Sequence, residues 1–154
     1  MTQTPSPTLH FGYGSNLWKQ QMTERCPGHR ILGAAKLRGY KWVISTRGYA
    51  NVVESPGDEV EGILYELTPG DEKILDLREG VAVGSYSKVN LPVIHGINES
   101  TAMVYVDPIR AEGVAKAEYV KRINAGVKDA GLSEEYVTKH IRRFIPEDKP
   151  AQRI

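Results

Sequence analysis

The stretch HFGYGSNLW, residues 10–18, carries a strand directly into a tight turn and then into a helix. Residues 9–13 are rich in strand-forming side chains, and Gly14 permits a sharp change of direction behind them. Residues 17–25 follow as a short predicted helix. A chain that alternates in this way at its start, and continues with further strands, is typical of a mixed α and β domain.

The glycine-containing turn does not match the common phosphate or nucleophile motifs. A P-loop requires Gly-Lys-Ser/Thr, and a dinucleotide fingerprint requires further glycines at the start of the helix. A nucleophile elbow requires glycine two residues after the serine, whereas Leu17 stands two residues after Ser15. Two interpretations remain. Either Ser15 or Asn16 caps the helix, or successive backbone N–H groups form an anion-binding nest.

The composition of the whole chain limits the classes of protein to which it can belong. Its 154 residues fit a single domain, and the net charge of +1 gives no reason to expect a nucleic-acid partner. The densest basic group, residues 139–143, is explained by the preference for cations in the last turn of a helix. The single cysteine, Cys26, favours a reducing, cytoplasmic setting, and no apolar run has the length of a membrane span.

The predicted organisation is one domain between two tails. Residues 1–8 are polar and contain proline, so we expect a disordered tail there, and a second tail at residues 147–154. Residues 9–146 form the predicted domain. The predicted strands after the first are residues 31–45, 50–54, 60–67, 86–93 and 101–106, and the turn signal SPGD at residues 55–58 separates the second of these from the third.

Helix signals are clear at three later positions. Thr68 is placed to cap a helix whose first residue is Pro69 and which stops at Gly80. Residues 115–130 have apolar side chains at four-residue spacing, and Ser133 is placed to cap a last helix. Strands and helices do not alternate regularly, so we predict an α+β fold with a curved or closed sheet.

Glu79 differs from the other acidic residues in its position. It follows the predicted short helix and precedes the apolar run at residues 80–84, which offers no polar side chain to solvate it. One interpretation is a partly buried carboxylate with a raised pKa, suited to proton transfer near neutral pH. The other is a solvated carboxylate paired with Arg78.

The remaining polar aromatic residues give no signal individually. Tyrosines stand at or near the ends of several elements, where core packing with the hydroxyl at the rim is the simple explanation. The four histidines show no metal-ligand spacing, so we predict no metal site.

Several short motifs, taken together and in order, resemble the γ-glutamylcyclotransferase family. They are YGSNL (13–17), SPGDEV (55–60), GILY (62–65), EGV (79–81), GSY (84–86) and the helix YVKRINAGVKDAGL (119–132). Each motif is weak, but their order is specific, and the resemblance extends from about residue 9 to residue 146. It implies a small mixed β-barrel of about five to seven strands with flanking helices, two of them C-terminal.

The resemblance also implies a reaction and a site. It implies an enzyme, in lyase or acyltransferase terms, that releases 5-oxoproline from a γ-glutamyl compound, as in glutathione metabolism. It implies that Glu79 is the catalytic acid/base and that no metal or cofactor is needed. The substrate-binding residues it implies are Tyr13, Gly14, Ser15, Asn16, Tyr86, Tyr105 and Tyr119.

The resemblance does not identify the leaving group of the substrate. The expected partner is a small γ-glutamyl molecule, and the chain is expected to be a monomer or a homodimer. A γ-glutamylamine or a glutathione conjugate is an alternative substrate, and a non-catalytic binding module is an alternative of another class. We expect loops such as residues 90–100 and 107–113 to form the leaving-group side.

Overall fold

The computed structural model describes residues 7–148. Both predicted tails lie largely outside this range. Thr8, assigned to the first tail from sequence, instead begins the first strand, because its backbone pairs with Leu67 and its hydroxyl donates to Glu72 Oε1 at 2.6 Å.

Five strands and four α-helices make up the described chain. The strands are β1 (Thr8–Gly12), β2 (Arg30–Ile44), β3 (Ala50–Leu67), β4 (Ser87–His95) and β5 (Asn98–Val106). The helices are α1 (Lys19–Arg25), α2 (Pro69–Arg78), α3 (Ala117–Ala130) and α4 (Glu134–Tyr136), which continues as a π-helical turn (Val137–Ile141); 3₁₀ turns stand at Ser15–Leu17 and Val81–Val83.

The strands close into a barrel in the order β1-β3-β2-β4-β5. Neighbours pair antiparallel, except that β1 and β5 run parallel where His10 faces Met103. Closure leaves neither end of the sheet as an unpaired edge. The predicted α+β fold, a small mixed barrel with flanking helices, is therefore confirmed.

The prediction that a turn at residues 55–58 separates two strands is wrong, because these residues lie within β3. Tyr40 of β2 faces Glu54, and Arg38 faces Glu59, so residues 55–58 form a bulge in one long strand opposite Gly39. The local turn chemistry is present, since Ser55 Oγ donates to Asp58 Oδ2 at 2.6 Å. Pairing with β2 on both sides of the bulge keeps the two halves in one ladder.

Two clusters of buried side chains hold the barrel and its helices together. The first fills the barrel and packs α3 against it; its members include Phe11, Leu37, Trp42, Leu64, Val104 and Ile123. The second lies under α1 and α2; its members include Met22, Tyr65, Leu67, Leu75 and Met103. Burial of these apolar surfaces is the main stabilising term, and it fixes the helices at defined positions on the barrel.

The predicted helix caps are confirmed. Thr68 Oγ1 accepts from the Asp71 N–H at 3.1 Å, and Ser133 Oγ accepts from the Tyr136 N–H at 3.3 Å. Both bonds satisfy a donor that a helix start leaves unpaired. None of the helices within residues 7–148 combines the length and the apolar character needed to cross a membrane.

Candidate active site

A cavity of about 310 Å³ opens at the end of β1, beside α2 and α3. Its volume is at the small end of the range for ligand pockets, so it suits a small molecule. It brings together every residue that the sequence predicted for the site: Tyr13, Gly14, Ser15, Asn16, Glu79, Tyr86, Tyr105 and Tyr119.

The turn after β1 starts a 3₁₀ helix without a side-chain cap. Gly14 is its N-cap residue, and no side chain among the described residues accepts a bond there. The following helix α1 has Trp18 as its N-cap residue, also without a side-chain cap, so the capping interpretation of Ser15 and Asn16 is wrong. Both side chains are buried and accept instead from Gln21 Nε2, at 2.8 Å to Ser15 Oγ and 3.0 Å to Asn16 Oδ1.

Asn16 is held from three further directions. Its Nδ2 lies 3.2 Å from His10 Nε2, and its backbone C=O accepts from Tyr65 Oη at 2.5 Å. The other ring nitrogen of His10, Nδ1, lies 3.2 Å from the Met103 C=O. Burial lowers the pKa of His10 to about 4, so the ring is neutral, with Nδ1–H donating to Met103 and Nε2 accepting from Asn16. On the remaining side, Arg25 Nη1 lies 3.4 Å from Asn16 Oδ1.

Gly14 is required by close packing. A Cβ at this position would lie 2.9 Å from the Tyr119 hydroxyl oxygen and 3.0 Å from Ala50 Cβ. The backbone of the turn thus touches the wall of the cavity directly. In such a turn the first N–H groups lack partners within the helix, and here the Ser15 N–H faces the Tyr119 hydroxyl at the cavity wall.

Glu79 ends α2 at the cavity. It is the C-cap residue, and Gly80 follows with φ of 66°, a left-handed conformation that turns the chain away. The Glu79 side chain is 17% exposed, so the interpretation as a partly buried carboxylate is the correct one. The apolar run at residues 80–84 is not the cause, because it is largely solvent-facing, with Val83 83% exposed. The cavity wall itself buries the carboxylate.

Burial raises the pKa of Glu79 above its ordinary value of 4.5. Arg25 opposes this shift most strongly, with its Nη1 3.8 Å from Glu79 Oε1, and Arg47 and Arg122 act in the same direction. The net result is a carboxyl group that keeps its proton to a higher pH than the side chain of an exposed glutamate does.

Tyr13 and Tyr105 form one wall of the cavity through linked hydrogen bonds. Tyr13 Oη donates to the Tyr105 C=O at 2.5 Å, and Tyr105 Oη donates to Asp76 Oδ1 at 2.7 Å. Burial raises the pKa of both phenols well above the usual value, so both stay protonated at neutral pH.

Tyr86 and Tyr119 also line the cavity, and both bond to the backbone of Ala50. Tyr86 Oη donates to the Ala50 C=O at 2.8 Å, and Tyr119 Oη accepts from the Ala50 N–H at 3.3 Å. Burial raises the pKa of Tyr119 to about 12, and it raises that of Tyr86 further. These hydroxyls anchor the walls and are poor proton donors or acceptors near neutral pH.

Sequence reasoning missed three of the four arginines that line the cavity. Arg25, Arg47 and Arg122 come from different parts of the chain, and no local spacing relates them; only Arg78, beside Glu79, was considered from the sequence. The two segments expected on the leaving-group side do not form the cavity lining. Residues 90–100 form the β4–β5 hairpin, and neither they nor residues 107–113 line the cavity.

No group of three or more His, Cys, Asp or Glu side chains within residues 7–148 converges in a way that holds a metal ion. The basic side chains and the tyrosine walls therefore set the character of the cavity around Glu79.

Comparison with known proteins adds independent information. The model of the AIG2-like family matches residues 59–139. The γ-glutamylcyclotransferase of Mus musculus is 31% identical over 142 residues, which cover 85% of this chain and 76% of the mouse protein. The Homo sapiens γ-glutamylcyclotransferase is 29% identical over 151 residues, covering 91% and 80% respectively. A solved γ-glutamyl cyclotransferase structure superposes with a TM-score of 0.81 at 26% identity, covering 96% of this chain and 93% of that one.

Proposed function

Because this chain belongs to the AIG2-like family and is an enzyme of the γ-glutamylcyclotransferase class, we propose that it cyclises a γ-glutamyl amino acid or peptide to 5-oxoproline. The leaving group departs as a free amine. The supporting observation is one carboxylate with a raised pKa, Glu79, in a small cavity beside the backbone of the turn at Tyr13–Asn16. The single cysteine, Cys26, is buried, which fits the reducing, cytoplasmic setting of such metabolism.

The reaction needs a base and an acid at nearby points. The α-amine of the substrate attacks its own γ-carbonyl carbon, a C–N bond forms in a five-membered lactam, and the bond to the leaving nitrogen breaks. Glu79 binds the substrate ammonium as a carboxylate, takes its proton, and returns that proton to the leaving amine. No water is consumed and no covalent enzyme intermediate forms.

The turn at Gly14–Asn16 supplies hydrogen-bond donors for the charge that the reaction handles. Attack places negative charge on the γ-carbonyl oxygen, which fixed N–H groups stabilise. The same amides also suit the substrate α-carboxylate, and either role depends on the turn being held rigidly. That rigidity comes from Gln21 and His10, which fix the side chains of the turn.

The tyrosine walls fold the γ-glutamyl group toward its reactive shape. Holding the amine near the γ-carbonyl converts ring closure into a positioned unimolecular step, which contributes much of the acceleration. The cavity of about 310 Å³ favours a small leaving group over a bulky conjugate. A non-catalytic binding module does not fit an enzyme of this class.

The activity should depend on pH through Glu79. Its carboxylate form is the active one, so kcat/KM falls as the pH drops through the pKa of Glu79, which lies above 4.5. Arg25 is the strongest influence lowering that pKa. The variant Arg25→Gln should therefore move the acid limb of the kcat/KM profile to higher pH, as measured by 5-oxoproline release.

The matched control for this profile is Arg38→Gln, because Arg38 lies on the barrel surface with 70% of its side chain exposed. Its acid limb should coincide with that of the wild type. An acid limb unmoved in Arg25→Gln would show that Glu79 does not govern the profile.

A substrate panel tests the proposed function. The protein is incubated with γ-glutamyl amino acids, γ-glutamylamines, glutathione and glutathione S-conjugates, and 5-oxoproline is quantified. Release from at least one γ-glutamyl amino acid is expected. If only amines or conjugates react, the alternative substrate class is correct, and if none reacts the proposal is wrong.

A further inference from the structure

Arg47 occupies a fixed position at the rim of the cavity. It stands in the turn between β2 and β3, where the Ser45 N–H donates to the Tyr49 C=O at 2.9 Å. Its side chain lines the cavity and is 30% exposed, whereas the side chains of Tyr13, Tyr105 and Tyr119 in the same lining are buried. A substrate whose γ-glutamyl group fills the inner part of the cavity would extend its remainder past this rim.

Three contacts hold the guanidinium of Arg47. Nε donates to Asp107 Oδ2 at 2.9 Å, Nη2 donates to the Ser85 C=O at 3.0 Å, and Cζ lies 5.1 Å from the ring centroid of Tyr86. A surface arginine without such contacts loses substantial side-chain entropy when it binds a ligand. Arg47 is already ordered, so that cost is reduced.

Asp107, which holds Arg47, is itself fully fixed. Its carboxylate has no exposed surface, and it accepts from Ser45 Oγ at 2.9 Å and from the Ile109 N–H at 2.8 Å. The Asp107 N–H donates to Asn51 Oδ1 at 2.8 Å. A buried charged group with this many partners is held in one position, and its hydrogen bond to Nε therefore also fixes the position of Arg47.

Arg47 combines its fixed position with a free donor edge. Nη1 of Arg47 makes no hydrogen bond to any residue in the described range 7–148. Arg122 donates through Nε and Nη2 to the two carboxylate oxygens of Glu118. Arg25 uses Nη1 for both Glu79 and Asn16. Arg78 also lines the cavity, but it has none of the contacts within residues 7–148 that fix Arg47. A guanidinium with a free N–H edge is suited to bind a carboxylate.

We propose that Arg47, fixed by Asp107, forms a subsite for a carboxylate carried by the leaving amine. This inference rests on the proposed function and names the substrate class within it. A γ-glutamyl amino acid carries such a carboxylate on the carbon next to the leaving nitrogen, and a γ-glutamylamine lacks it. Arg47 therefore selects γ-glutamyl amino acids over γ-glutamylamines, and it is a specificity residue that does not take part in proton transfer.

The test uses two substrates that differ by that carboxylate alone, γ-glutamyl-L-alanine and γ-glutamylethylamide. For the wild type, kcat/KM should be higher with γ-glutamyl-L-alanine. In Arg47→Gln, kcat/KM should fall about 10–100-fold with γ-glutamyl-L-alanine, the usual effect of losing a hydrogen bond to a charged group, and should change little with γ-glutamylethylamide. Arg47→Lys keeps the charge without the planar guanidinium. Its kcat/KM with γ-glutamyl-L-alanine should lie between those of the wild type and Arg47→Gln.

The matched control is Arg110→Gln, because Arg110 is exposed and lies outside the cavity lining. Its preference between the two substrates should equal that of the wild type. Equal losses with both substrates in Arg47→Gln, with an unchanged melting temperature, would overturn the subsite while leaving the proposed function intact. If the wild type releases 5-oxoproline from neither compound nor from any other γ-glutamyl compound of the substrate panel, the proposed function fails and the subsite fails with it.

Discussion

Replacing Glu79 by glutamine is expected to lower kcat/KM for 5-oxoproline release by about 10²–10⁴-fold, the usual effect of losing a general acid–base group. Glutamine matches glutamate in shape, so the side chain still fits the cavity. It cannot accept the proton of the substrate ammonium or return one to the leaving amine. Steady-state assays with γ-glutamyl-L-alanine, beside circular dichroism of both proteins, measure the effect.

The same substitution should not destabilise the fold at neutral pH. The pKa of Glu79 is raised in the folded state, so ionisation above the unfolded value near 4.5 costs stability. That cost is absent at lower pH and grows as the pH rises through the folded pKa. Glu79→Gln should therefore match or exceed the wild-type melting temperature at pH 7, with the difference disappearing near pH 4.

The control for both measurements is Glu99→Gln, since Glu99 is exposed on β5 and is not part of the cavity lining. It should keep wild-type activity. Wild-type activity in Glu79→Gln would remove Glu79 from the catalytic role.

Gly14→Ala is expected to reduce kcat/KM about 10²-fold, because small displacements of groups that position a substrate have effects of that size. The added methyl group would lie 2.9 Å from Tyr119 Oη and 3.0 Å from Ala50 Cβ, so the turn or the wall must shift. Overpacking of this kind also costs about 1–3 kcal/mol of stability. Activity assays and thermal unfolding report the two effects separately.

Gly70→Ala is the matched control for this change. Gly70 lies in the first turn of α2, and a Cβ there would have only Thr68 Oγ1 near it, at 4.0 Å. Alanine at that position should leave activity unchanged and stability equal or slightly higher. Full activity in Gly14→Ala would mean that the turn does not position the substrate.

Local sequence was enough to predict the fold class and the ends of several elements. The caps at Thr68 and Ser133 are interactions within four residues, so the sequence carries their whole signal. The bulge at residues 55–58 was not predictable in that way. Its Ser-Pro-Gly-Asp chemistry favours a turn, and only the pairing of β3 with β2 on both sides turns it into part of one strand.

The candidate site was predictable as a set of residues but not as a set of contacts. The motif order brought Gly14, Ser15, Asn16 and Glu79 to attention, and the fold places them around one cavity. The partial burial of Glu79 was predicted correctly, but it was attributed to the apolar residues 80–84. Those residues largely face solvent, and the cavity wall covers the carboxylate instead.

The arginines could not be found from sequence, because each owes its role to a distant partner. Arg47 depends on Asp107, sixty residues later, and Arg25 reaches Glu79 across two elements. Charged residues in helix ends and turns are usually solvated, so nothing local separates these arginines from the others.

The most direct test concerns what attacks the γ-carbonyl. The wild-type protein is incubated with γ-glutamyl-L-alanine in water enriched in ¹⁸O, and the products are identified by mass spectrometry. Attack by the substrate's own amine predicts unlabelled 5-oxoproline and an equal amount of alanine. Glutamate carrying ¹⁸O in its γ-carboxylate would show attack by water, and would contradict the cyclisation mechanism.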